Sequence, residues 1–122
     1  MAAVQEHIRA ALDCLSDREN PNYRNAIKES ISAVESVCKL ITGEKTLGAA
    51  LKAIRDNIQL HPALEKGFNA LYGYTSDEGG IRHALLAEST VDSADARFML
   101  VACSAFVNFL IAKASSAGIP VR

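Results

Sequence analysis

The chain has 122 residues, 49% of them hydrophobic, which fits one compact domain able to bury roughly two-thirds of its unfolded surface without metal or disulfide staples. Its 13 Lys and Arg against 14 Asp and Glu exclude a general positive field for nucleic acid, so any RNA or DNA contact has to be local. Cys14, Cys38 and Cys103 lie far apart among apolar neighbours with no Cys-x-x-Cys spacing, which excludes a disulfide framework and reads as reduced core thiols of a cytoplasmic protein.

The N-terminus has no basic region leading into an apolar run, so no signal peptide is expected. Residues 98–112 form the longest apolar stretch, roughly 15 residues broken by Ser104 and Asn108, short of the ~20 that a membrane span requires. No membrane contact is expected.

Apolar spacing predicts a first helix over residues 3–15, with Val4, Ile8, Ala11, Leu12 and Leu15 on one side and Gln5, Glu6, Arg9 and Asp13 on the other. The polar turn that follows holds Pro21, and Asn20 or Asn22 can cap the next helix. That second helix, residues 23–41, carries two adjoining stripes: Ile27, Ile31, Val34, Cys38 and Ile41, and Ala26, Ser30, Ala33, Val37 and Leu40. Together they make a face wide enough for two neighbours, and Gly43 supplies the stop.

Thr46 caps a third segment through Leu47, Ala50, Leu51, Ile54 and Ile58, and Pro62 starts a shorter helix ending at 71 or 72, with Leu64, Phe68 and Leu71 on one side. Ser76 can cap a further short helix that holds Arg82 and His83. Asp92 or Ser93 opens a last helix to about residue 114, apolar nearly all round, which fits either the centre of the bundle or half of a dimer interface. Strand-like alternation persists nowhere. The expected fold is an all-α bundle of four main antiparallel helices with one or two short extra ones over residues 1–114, followed by a flexible tail at 115–122.

Between two apolar helical segments, residues 72–85 crowd glycines, carboxylates, Tyr72, Tyr74, Arg82 and His83. Glycines let a ligand approach the backbone, arginine offers a planar fork of donors, and histidine titrates near neutrality, a set suited to a phosphodiester. Arg82 can equally pair with Asp77, Glu78 or Asp95, and His83 can be a hydrogen-bonded junction residue. Arg24 and Asn25 open the second helix and could face that region. Ser104 and Asn108 share a face of the last helix with Arg97 and Val101, and a buried asparagine there more often fixes register or a dimer than binds a ligand. No phosphate loop, metal-ligand spacing or nucleophile elbow is present, and His7, His61 and His83 share no local face with an acid, so no cofactor or metal is expected.

Several stretches taken together, Tyr23-Arg24-Asn25-Ala26-Ile27-Lys28, residues 46–52 and 61–64, Leu71-Tyr72-Gly73-Tyr74-Thr75-Ser76-Asp77, Gly80-Ile81-Arg82-His83-Ala84-Leu85 and residues 98–108, resemble a C-terminal domain of bacterial abortive-infection-like proteins. Nearly the whole chain is similar to a divergent member of the HEPN superfamily. The resemblance implies a helical bundle that forms a homodimer, with Phe106, Asn108 and Phe109 at the dimer interface, and places the family's metal-independent RNase chemistry at Arg82 and His83. The superfamily hallmark is an arginine, usually followed by a polar residue, then a histidine four to six residues later. Arg82 and His83 match its first half, whereas residues 87–89 are Ala87, Glu88 and Ser89. Without the distal histidine the usual general acid/base group is missing. The resemblance therefore implies a degenerate domain of a defence or stress system that dimerises and binds RNA or a protein partner through Tyr74, Asp77, Arg82, His83, Arg24 and Asn25. The alternative it implies is an active RNase, and a small-molecule sensor lined by Tyr72 and Tyr74 is a third reading.

Overall fold

A computed structural model describes residues 1–76 and 91–121. Among them the chain forms five α-helices and no strand: α1 (Ala2–Ser16), α2 (Tyr23–Thr42), α3 (Leu47–Asn57), α4 (Pro62–Ser76) and α5 (Ser93–Ser116). The architecture is the all-α bundle that the apolar spacing predicts.

α2 is the hub, packing against α1, α3 and α5, while α1 also touches α5. Its sequence explains the role. Both stripes are buried, Ile27, Ile31, Val34, Cys38 and Ile41 on one and Ala26, Ser30, Ala33 and Val37 on the other; only Leu40 comes out to solvent. The second stripe is small, so neighbouring backbones can approach closely. Its hydroxyl at Ser30 is satisfied inside the helix, donating to the Ala26 carbonyl at 2.7 Å, so no polar atom is left unpaired in this contact.

Local signals set the helix ends. Asn22 Oδ1 accepts the Asn25 N–H at 3.1 Å to start α2, and Gly43, at φ 74°, ends it by donating its N–H to Lys39 O at 2.8 Å. Thr46 Oγ1 accepts from Ala49 N at 3.3 Å at the start of α3. His61 opens α4: its Nδ1 accepts the Ala63 N–H at 3.0 Å, ahead of a proline whose missing N–H would have been an orphan anyway. α5 begins with a reciprocal capping box, Asp95 N to Asp92 Oδ1 at 3.1 Å and Asp92 N to Asp95 Oδ2 at 3.0 Å.

The structure corrects four expectations. Leu12, predicted to lie on the apolar side of α1, is 52% exposed; Val4 and Ala11 are buried instead. α4 continues to Ser76, past the expected end at 71 or 72, because a glycine inside a helix weakens it by only about 0.5–1 kcal/mol and Gly73 is not enough to stop it. The segment after α5 is not a free tail from residue 115. The helix runs to Ser116, Gly118 turns the chain at φ 75°, Ile119 N donates back to Ala114 O at 2.9 Å, and Ile119 and Val121 pack on the core. This is the glycine-terminated helix end in which an apolar residue folds back over the last turn.

The fourth correction concerns membrane length. α5 has 24 residues and is, by length and composition, long and apolar enough to cross a membrane, because the helix extends beyond the apolar run on both sides. One row of it, Ala96, Met99, Cys103, Val107, Leu110 and Ala114, is buried in the bundle.

Candidate functional site

The geometry of α5 divides its apolar surface in two. The buried row faces α2 and α1. On the opposite side Ala94, Phe98, Val101, Ala105, Asn108 and Ala112 are exposed, spaced four, three, four, three and four residues apart. Phe98 is 59% exposed and Val101 69%. Single exposed apolar residues are ordinary; here they form a continuous row along one helix.

Of the three residues predicted at a dimer interface, Asn108 lies within this strip. Phe109 is half-buried at its margin, with the Lys113 ammonium 5.7 Å above its ring. Phe106 is turned the other way, its ring 4.8 Å from that of Phe68 on α4, and so serves the chain's own packing. Phe98 and Val101 were missed. The alternating spacing of three and four that links them to Asn108 is present in the sequence, but an almost uniformly apolar helix does not reveal which row faces out.

The predicted binding residues at the head of α2 have distinct surroundings. Arg24 is exposed. Asn25 is half-buried and structural: its N–H goes to the Asn22 cap and its Nδ2 donates to Cys14 Sγ at 3.3 Å, joining the end of α1 to the start of α2. A backbone bond, Asn22 N to Cys14 O at 2.9 Å, reinforces that junction. Tyr74 is exposed in the last turn of α4, whereas Tyr72 is half-buried and packs against the core. Asp77, Arg82 and His83 lie outside the described residues.

Several titratable groups elsewhere are engaged in structure. His7 Nδ1 meets Glu29 Oε2 at 2.5 Å, tying α1 to α2 at the edge of the core. Burial pushes the Cys38 and Cys103 thiols up to about 12, with Glu35 adding to the effect at Cys38, so neither offers a thiolate nucleophile near neutral pH. The Asp92 carboxyl is held below its ordinary value, chiefly by the hydrogen bond from the Asp95 backbone. Among the described residues no group of His, Cys, Asp and Glu side chains could hold a metal ion.

Compared with known protein families, with curated proteins and with solved structures, the chain matches none. The class that the fold and the described surface define is an all-helical bundle presenting one apolar helix face.

Proposed function

We propose that the chain is a degenerate HEPN-like helical domain of a bacterial defence or stress system, which acts by dimerising and by binding RNA or a protein partner rather than by catalysis. The observation that carries the reading is the outer face of α5, where Phe98 and Val101 stand in solvent on a helix whose other side is fully committed to the core. Burying the exposed part of such side chains recovers a share of the about 1.5–3 kcal/mol that complete burial gives, a driving force for a partner surface. The near balance of 13 basic and 14 acidic residues supports a local rather than a diffuse RNA contact. The absence of a histidine at residues 87–89 supports binding over cleavage.

The test is incubation of the chain with a mixed single-stranded RNA pool in EDTA, scoring both retention and cleavage. Arg82→Ala, His83→Ala and Arg24→Ala are run beside the native chain. The reading expects intact RNA, with retention weakened by the arginine substitutions. Cleavage lost in both Arg82→Ala and His83→Ala would replace it with a metal-independent RNase.

A further inference from the structure

α4 differs from the other helices in how it is held. α1, α3 and α5 all pack along α2, which buries two rows of side chains beneath them. Of the described side chains of α4, Phe68 alone is buried. Leu71 and Tyr72 are half-buried against the core, while Ala63, Leu64, Lys66, Asn69 and Ala70 are exposed. An element with so little buried apolar surface opens at a lower free energy than the core it rests on.

The attachment suits such an opening. The hydrogen bonds that start α4 are local to it: His61 Nδ1 accepts the Ala63 N–H, and His61 O accepts those of Leu64 and Glu65, all at 3.0 Å. The helix therefore keeps its own beginning when it leaves. Leu60 packs on the core, so the chain is anchored up to that residue and the pivot falls just after it. Gly67 has nothing within 4 Å of where a Cβ would stand, so a helix-weakening residue occupies a place where no close packing requires one.

Resting on the reading of the outer face of α5 as a contact surface, we propose that α4 is a displaceable cover. It opens as a unit of its own while α1, α2, α3 and α5 stay folded, and its release adds Phe106 to that face. At 3.6 residues per turn, the half-buried Ala102, Phe106 and Phe109 fall on one flank of α5, between its buried row and its exposed row. Phe106 is the residue of the three nearest the core, and the Phe68 ring meets it there at 4.8 Å. With α4 docked, the accessible face stops short of Phe106. With α4 away, apolar surface runs from Val101 and Ala105 through Ala102 and Phe109 to the Phe106 ring. Whatever binds the wide face better than the narrow one draws α4 off.

Hydrogen exchange of the native chain, followed helix by helix in urea below the unfolding transition, tests the opening without any variant. The hydrogen-bonded amides of α4 should exchange faster than those of α2 and α5 and with a weaker dependence on urea, because a local opening exposes less surface than global unfolding. Amides of α4 that match α2 and α5 in both respects would overturn the proposal. The apolar dye ANS reads the widened face. Phe68→Ala should strip α4 of protection, leave α2 and α5 protected and raise dye fluorescence, and adding Phe106→Ser should remove most of that rise. Loss of protection in α2 and α5 along with α4, no rise in fluorescence, or a rise that Phe106→Ser leaves intact would each overturn the cover. Val101→Glu keeps the two claims apart. If the native chain is monomeric and Val101→Glu leaves RNA retention unchanged, the contact surface fails even where α4 opens; if α4 does not open, the cover fails and the contact surface stands.

Discussion

The rings of Phe68 and Phe106 meet at 4.8 Å between centroids with their planes tilted by 59°, and through this pair α4 is held against α5. Phe68 is 6% exposed, so it anchors its helix, while Phe106 reaches it from the side of α5. Tilted aromatic pairs add about 0.5–1.5 kcal/mol beyond their buried area. Phe68→Ala removes that term and leaves a cavity, and its expected destabilisation is about 3–5 kcal/mol. Phe106→Ala, from a half-buried position, is expected to lose less. Urea unfolding of both variants measures the difference.

Gly67 lies in α4 with nothing within 4 Å of where a Cβ would stand. A methyl group there meets no neighbour, and alanine narrows the unfolded ensemble. Gly67→Ala is expected to stabilise the chain by about 0.5–1 kcal/mol, read as a higher urea midpoint with unchanged slope.

The capping box at the head of α5 makes an acid limb. Hydrogen bonds lower the Asp92 carboxyl below its ordinary 3.8, so the folded state binds that proton more weakly than the unfolded one. Its contribution is present above the unfolded value and is lost as pH falls through the folded one. The melting temperature of the native chain should therefore fall with acidification below about pH 4. Asp92→Asn keeps a capping oxygen without the titration, so its acid limb should be shallower.

Most of the helical frame is legible in the sequence because its signals are local. Asn22, Gly43, Thr46 and Asp92 all act where side-chain chemistry predicts, and both stripes of α2 are buried apart from Leu40. Expectations failed where tertiary placement decides. Leu12 follows the helical period of α1 yet faces solvent, since period marks a face without saying how far the neighbouring helix covers it. Phe106 and Asn108 are two residues apart on an apolar helix, and only the position of Phe68 separates the inward residue from the outward one. Arg24 and Asn25 look alike as first-turn polar residues, but the proximity of Cys14 commits Asn25 to the junction of α1 and α2.

The central claim, that the outer face of α5 is a contact surface between copies of the chain, is tested most directly by sedimentation equilibrium of the native chain beside Val101→Glu. Val101 is 69% exposed, so the substitution leaves the bundle itself intact, which circular dichroism checks. The account predicts a native chain that dissociates from dimer to monomer on dilution and a Val101→Glu chain that is folded and monomeric throughout. A native chain that sediments as a monomer at every concentration, or a Val101→Glu chain that dimerises as the native one does, would contradict it.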